Sequence, residues 1–276
     1  FQQRDFQAMD PAFLDLAAGK GKGGRYWIER TRGASKSTDV AIQVLWPLAF
    51  SERAICGVAA AGDQDQAGVL RDRIVDVIRA NDWLRGFLDV KQYQIVNRVT
   101  GSKLDIISSD AGTSYGLLLD FIVADEIANW SARNGRDFWN SLSTTAVKKR
   151  SCLLIVTTNA GWHDTWQARL RDKVKASAHW HVSTYCQPAP WHSAKDIEDS
   201  KNTISSDKEF RRLWYGQWVT IEGAEWPESY FPDSIWFSDF PNNLILKVVT
   251  LDPTVGKGAR PGDYAAFIKL GVDRDC

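Results

Sequence analysis

Three stretches of this chain are almost wholly apolar over the length of a strand: residues 53–61 (RAICGVAAA), 117–124 (LLLDFIVA) and 151–156 (SCLLIV). A strand with one wet face alternates apolar and polar residues, whereas a continuous apolar run belongs to a strand covered on both faces. Something must cover those faces, and segments of helical character lie between the runs. Residues 40–50 read as a helix, with Pro47 expected to end or kink it. In residues 64–80, Val69, Leu70, Ile74, Val77 and Ile78 fall at helical spacing, and residues 136–148 read as a third helix. Alternation of buried strands with helices specifies an α/β fold built on a mostly parallel sheet.

Shorter elements fill in the pattern. Residues 26–29 form a short strand after a Gly/Lys-rich loop at 19–24, and residues 178–185 form another strand. Residues 93–99 and 103–108 flank Thr100-Gly101-Ser102 as a hairpin. Residues 206–220 read as a helix capped by Ser206, with Glu209 completing a capping box. Residues 222–243, rich in Pro, Trp and acids, read as a linker before a new strand at 246–251. That places a domain boundary near residue 240 and divides the chain into 1–240 and 241–276.

Charge narrows the possible partners. The 34 basic and 34 acidic side chains cancel. A static DNA clamp draws its affinity from counterion release and carries a basic excess, so only transient contacts through a local patch fit. The 13 Trp residues serve chiefly as core and rim anchors. Cys56, Cys152, Cys186 and Cys276 are scattered without a CxxC spacing, which favours reduced thiols in a cytoplasmic setting. No apolar run reaches bilayer-spanning length. His179, His181 and Cys186 lack the spacing of a common zinc site. The basic run Lys148-Lys149-Arg150 suits a solvated helix end better than a DNA contact.

The chemistry concentrates where apolar runs stop. A phosphate-binding loop needs backbone N–H groups forming a nest, a helix N-terminus behind them, a Lys for the outer phosphates and a hydroxyl for magnesium. Arg30, Thr31, Arg32, Gly33, Ala34, Ser35, Lys36, Ser37 and Thr38 (RTRGASKST) lie between a strand and a helix. Lys36 and Ser37 match the usual GxxxxGK[ST] spelling, while Arg30 and Ser35 stand in place of its two glycines. The GKGKGG loop at 19–24 has no following Ser or Thr and is a decoy. Further on, FIVA runs into Asp125 and Glu126, at the kind of strand end where α/β sheets present catalytic groups. Asp125 can hold magnesium there, and Glu126 can deprotonate an attacking water. The strand at 151–156 ends in Thr157, Thr158 and Asn159, placed to contact a γ-phosphate or that water. Arg133 and Arg136 follow the acidic pair and could serve as fingers toward a neighbouring subunit.

In this order, the motifs resemble those of the large terminase subunits of tailed bacteriophages. RTRGASKST is similar to that family's variant phosphate loop, and EFRRLWYGQWV (209–219) to the block that closes its ATPase domain, with Gly216 where Asn is common. VVTLDPTVG through GDYAAF (248–267) resembles the first hairpin of its RNase H-like nuclease. The resemblance covers roughly residues 25–270 and implies a RecA-like, additional-strand P-loop ATPase followed by the start of an RNase H-like domain.

The family implies that ATP hydrolysis drives double-stranded DNA into a procapsid in the host cytoplasm. Its partners would be the portal protein, a small terminase subunit and further copies of the chain, as a pentamer. By carry-over, Lys36 grips the outer phosphates, Ser37 and Asp125 hold Mg2+, and Glu126 is the base. Thr157, Thr158 and Asn159 couple hydrolysis to motion, and Arg32 senses or stabilises γ-phosphate charge. Asp252 matches the first nuclease carboxylate, which would work with Mg2+ or Mn2+; Asp263 is a weaker match. Residues 241–276 cannot complete such a domain, so the expectation is a piece of a longer protein that does not itself cut DNA. Two other readings fit the nucleotide motifs: a helicase-type P-loop ATPase, and a non-catalytic nucleotide-binding module of a capsid. The first would need motifs of a second RecA-like domain, and the second would have no need of Glu126.

Overall fold

The computed structural model describes residues 1–109, 118–220, 243–252 and 266–272. The start of the 117–124 run, most of the 222–243 linker and Asp263 lie outside the described residues. The chain divides into two compact units, Phe1–Glu222 and Gly223–Cys276.

The first unit opens with α1 (Gln2–Ala17), β1 (Gly24–Arg30), α2 (Lys36–Phe50), β2 (Cys56–Ala61) and α3 (Gln64–Ala80). Short strands β3 (Leu88–Val90), β4 (Gln94–Asn97) and β5 (Lys103–Ser108) follow, then β6 (Phe121–Ala124) and α4 (Asn134–Lys148). The unit continues through β7 (Leu153–Thr158), α5 (Trp166–Lys175), β8 (His181–Tyr185), α6 (Ala194–Thr203) and α7 (Asp207–Tyr215). The eight strands form one sheet in the order β3-β4-β5-β2-β6-β7-β1-β8, parallel except at the β3-β4-β5 edge. This is the mostly parallel α/β architecture expected from the apolar runs.

The reason those runs lack alternation is visible residue by residue. In β6, Phe121 and Val123 face the core layer under α1, α2 and α3, while Ile122 and Ala124 face the layer under α4 and α5. Strand β7 divides likewise, with Leu153 and Ile155 on one side and Leu154 and Val156 on the other. Fully burying a side chain such as Phe121, Ile122 or Val123 contributes about 1.5–3 kcal/mol. In α3, Leu70, Ile74 and Ile78 are buried as their spacing predicts, whereas Val69 is 40% exposed.

Several local expectations are corrected. Pro47 does not end α2, which continues to Phe50. Proline cannot donate to the carbonyl one turn back, but the final turn closes through Ser51 N–H donating to Pro47 O. Strand β7 runs on through Thr157 and Thr158, which pair with Ile28 and Glu29 of β1. β-Branched threonines suit a strand, so only Asn159 lies beyond it. The helix expected over 206–220 stops at Tyr215 because Gly216 turns left-handed at φ 59. Its capping box is half made: Ser206 Oγ accepts from Glu209 N–H, but the Glu209 carboxylate binds Arg212 instead. Among the described residues a full capping box forms at Ser193–Asp196, at the start of α6. His179 precedes β8 rather than lying on it, and Gly24 belongs to β1 rather than to the preceding loop.

The second unit contains strands β9 (Leu246–Asp252) and β10 (Ala266–Val272), paired antiparallel from Leu246↔Val272 to Asp252↔Ala266. Among the described residues no helix is long and apolar enough to cross a membrane.

Candidate active site

Parallel strands bring their C-terminal ends to one rim, and the expected chemistry gathers there. β1 leads into the loop 31–35 and the N-terminus of α2, β6 leads into Asp125 and Glu126, and β7 leads into Asn159. These segments and α3 enclose a cavity of about 420 Å³, lined among others by Arg32, Lys36, Ser37, Asp125, Glu126 and Asn159.

The loop is shaped by two left-handed residues, Gly33 at φ 71 and Ser35 at φ 59. Glycine suits position 33 for a second reason, since a Cβ there would stand 2.6 Å from His192 Nε2 and the ring would have to shift. The loop is tied to distant segments through its backbone. Thr31 N–H donates to Tyr185 O (3.2 Å), Arg32 N–H to Leu213 O (2.8 Å), and Trp191 Nε1 to Gly33 O (3.1 Å). Thr31 Oγ1 donates to Gln187 O at 2.8 Å.

Arg30 sits beneath the loop rather than in the cavity. It is the last residue of β1 and only 1% exposed. Its guanidinium binds Asp5 Oδ2 at 2.7 Å, Asp39 Oδ2 at 2.6 Å and Ala34 O at 3.0 Å. A buried charge is tolerated only when paired and hydrogen-bonded, and this one is spanned by α1 and α2. Ser35 Oγ joins the same network by donating to Asp39 Oδ1 at 3.0 Å. Thr31, Ala34, Ser35 and Thr38 likewise fall outside the cavity lining, whereas Arg32, Gly33, Lys36 and Ser37 belong to it.

Within the cavity Lys36 is nearly buried and held from several sides. Its Nζ donates to Asn159 Oδ1, to Thr31 O at 3.2 Å and to Arg30 O at 3.4 Å, and stands 3.2 Å from Glu126 Oε1. Ser37 Oγ donates to Asp125 Oδ2 at 2.9 Å, and Thr157 Oγ1 donates to Asp125 Oδ1. Burial and, after it, the neighbouring Glu126 carboxylate push the Asp125 carboxyl above its usual range; the Thr157 and Ser37 hydroxyls and the Lys36 charge pull the other way. Glu126 itself adopts a left-handed backbone at φ 51 and accepts from Asn159 N–H at 3.3 Å.

Of the three polar residues after Val156, Asn159 alone lines the cavity. Thr157 is engaged by Asp125, and Thr158 Oγ1 accepts from Ala128 N–H at 3.1 Å, holding the turn that follows the acidic pair. Lys149 of the basic run donates to Asp120 Oδ1 at 2.6 Å, at the opposite rim of the sheet. Arg133 and Arg136 are exposed at the start of α4. Asp252 closes β9 in the second unit.

Three further polar residues line the cavity, Gln66, Asn129 and Arg212, beside the apolar Ala61, Val69 and Leu213. Arg212 lies in the EFRRLWYGQWV block, where the resemblance gave it no role. Its guanidinium pairs with Glu209 at 2.6 Å and donates to Ala160 O at 2.9 Å. The signal for Gln66 was its place three residues after Asp63, at the start of α3.

No protein-family model and no curated protein matches the chain in sequence. Solved structures do match it in fold. The HK97 bacteriophage large terminase superposes with a TM-score of 0.60 at 18% identity, over 76% of this chain and 50% of that one. The chain therefore corresponds to half the length of that protein. The large terminase ATPase domain of Thermus phage P74-26 gives 0.52 at 19% identity, over 74% of this chain and 91% of the domain. The large terminase of another thermophilic bacteriophage, in complex with ADP, gives 0.56 at 13% identity, over 95% and 65% of the two chains. With its eight-stranded, mostly parallel sheet and a loop–helix unit at the C-terminal rim, this chain has the fold of the phage large-terminase ATPase domain.

Proposed function

We propose that the first unit hydrolyses ATP. The observation that carries this is the meeting of Lys36 and Ser37, from a loop–helix unit, with Asp125, Glu126 and Asn159 around one cavity. Lys36 faces the outer phosphates, whose negative charge replaces the Asn159 and Glu126 partners that hold its ammonium in place. Glu126 takes a proton from the attacking water as that oxygen bonds to the γ-phosphorus and ADP departs. Asn159 binds both Lys36 and the Glu126 carboxylate, so it can register whether a γ-phosphate is present. Arg32 adds a positive charge at the cavity mouth.

The donor set suits magnesium. Asp125 Oδ2 and Ser37 Oγ are hard oxygen ligands 2.9 Å apart, and a carboxylate destabilised by burial gains from a divalent charge. These two residues would hold the ion, which when bound neutralises charge on the phosphates.

ATP turnover and ADP affinity test the assignment together. Lys36→Ala is expected to lose both. Glu126→Gln is expected to keep ADP affinity while turnover falls roughly a hundredfold or more. Unchanged turnover in both variants would sink it.

The fold likeness to large-terminase ATPase domains supports a more specific role. Hydrolysis here would power translocation of double-stranded DNA into a procapsid, with the chain docked as a pentamer on the portal protein beside a small terminase subunit. Arg133 and Arg136, exposed at the start of α4, are the candidate fingers toward a neighbouring copy. Asp252 would contribute to a Mg2+- or Mn2+-dependent nuclease.

A further inference from the structure

We infer that Gln66 is a catalytic residue of this site: its side-chain amide holds the attacking water between itself and Glu126. This rests on the ATPase proposed above and adds a residue to it.

The placement follows from the sheet. Strands β2 and β6 are parallel neighbours, with Ala60 opposite Ala124, and Asp125 N–H donates to Ala60 O at 2.8 Å. The chain leaving β2 therefore emerges beside the chain leaving β6. Three residues after β2, α3 begins, so its first turn stands next to Asp125 and Glu126. Gln66 lies in that turn and lines the same cavity as Lys36, Ser37, Asp125, Glu126 and Asn159.

The alternative role for Gln66 is a local one. With Asp63 as N-cap, a Gln three residues on has the spacing of a capping box, in which its side chain would accept from the Asp63 backbone N–H. Half of that box is present: Asp63 Oδ1 accepts from Gln66 N–H at 2.8 Å. The other half is not, because Gln66 Oε1 is buried and makes no hydrogen bond. A buried acceptor without a partner is uncommon in folded proteins. Here the helix cap fixes the backbone of Gln66, whose side chain lines the cavity while its buried amide oxygen has no partner until the amide turns toward a bound water.

A water lodged there has two acceptors to satisfy. One hydrogen goes to Gln66 Oε1 and the other to the Glu126 carboxylate, which leaves an oxygen lone pair directed at the γ-phosphorus. As the new P–O bond forms and the bond to ADP breaks, Glu126 takes its proton. The amide keeps its hydrogen bond and takes none. Gln66 contributes orientation, and misplacing a reacting atom by a small distance can cost roughly a hundredfold in rate.

The test compares steady-state ATP hydrolysis, ADP affinity and thermal midpoint in the full chain for the parent, Gln66→Met, Gln66→Asn and Asp63→Ala. Methionine keeps the length of the side chain and removes its hydrogen bonding. Gln66→Met is expected to lower kcat by roughly tenfold to a hundredfold, with KM and ADP affinity within about threefold of the parent. Its midpoint should not fall, because the amide it removes makes no bond through Oε1. Gln66→Asn, with the amide drawn back by one carbon, should be intermediate in kcat. Asp63→Ala should lower the midpoint through the lost cap, and its kcat should fall less than that of Gln66→Met, separating a loosened helix from a missing amide. A kcat for Gln66→Met within twofold of an active parent overturns the inference and leaves the ATPase assignment standing. A loss of ADP affinity equal to the loss in kcat/KM also overturns it, by placing Gln66 on the nucleotide instead of the water. If the parent binds no nucleotide, the ATPase assignment fails and this inference fails with it.

Discussion

Asp120 and Asp125 bracket the same strand, β6, and are 3% and 5% exposed, yet their carboxyls are shifted in opposite directions. At the N-terminal rim of the sheet, burial would push Asp120 up. Hydrogen bonds from Arg53, Lys149 and the Cys56 N–H outweigh it and hold the carboxyl below its usual range. At the C-terminal rim, burial and then the neighbouring Glu126 carboxylate push Asp125 up, outweighing the two hydroxyls and the Lys36 charge that pull it down. The backbone tells the same story. The described non-glycine residues with positive φ are Ser35 and Glu126, both at the C-terminal rim. One rim is built to be satisfied, the other to keep charge and strain unrelieved beside a cavity. Strain and desolvation held at one place are signs of a functional site when the rest of the structure supports them.

The largest expected effect separates the two aspartates by activity. Asp125→Asn should reduce ATP turnover by roughly a hundredfold or more, by analogy with losing a group that stabilises charge in the transition state. Its unfolding midpoint should equal or exceed the parent's, because the substitution removes a buried carboxylate beside Glu126 while keeping the shape. A clear loss of stability in Asp125→Asn would show that this rim holds no unfavourable charge.

Asp120→Asn should behave in the opposite way. Charged hydrogen bonds contribute about 1.5–3 kcal/mol each when well buried. The Arg53 and Lys149 side chains are 41% and 31% exposed, which discounts the pair toward about 1–2 kcal/mol in total. Denaturant titration should show that loss, with turnover within about twofold of the parent. Because the folded pKa of Asp120 is lowered, its contribution is fully present above the unfolded value of about 3.9 and fades as pH falls below it. The stability gap between parent and Asp120→Asn should therefore narrow below about pH 4. A gap that widened on acidification would contradict the direction of the shift.

Much of this contrast was legible in the sequence, and the division follows the range of the contacts. Asp125, Glu126 and Asn159 follow apolar strands, and Lys36 and Ser37 match a phosphate-loop spelling after a strand, so their meeting at one rim was expected from pattern alone. The mostly parallel sheet came from the same runs. What the chain did not disclose depends on partners far away. Arg30 reads as part of the phosphate loop, and only its contacts with Asp5 and Asp39 place it underneath. Thr157 lies past the apolar run at 151–156, and only the bond from its hydroxyl to the Asp125 carboxylate, just beyond the adjacent strand, accommodates it inside β7. Glu209 matched a capping box, but an Arg three residues on, itself bonded to Ala160 O, competed for the carboxylate and won. Local patterns picked out the groups that meet at the cavity, while their support came from long-range pairing.

The smallest effect concerns strain at Ser35, where the common loop spelling has glycine. A left-handed backbone costs a non-glycine residue about 1 kcal/mol. Ser35 at φ 59 carries that cost and offsets it through the bond from its hydroxyl to Asp39 Oδ1. A bond of that kind contributes about 1 kcal/mol. Ser35→Gly removes the strain and the bond together, so its stability should lie within about 1 kcal/mol of the parent. Ser35→Ala removes the bond and keeps the strain, and should fall below the glycine variant by about 1 kcal/mol. The difference between the two variants measures the strain itself, since neither has the hydroxyl. Equal stabilities for Ala and Gly in chemical denaturation would mean that the backbone at this rim is relaxed, and the contrast with the N-terminal rim would then rest on the carboxylates alone.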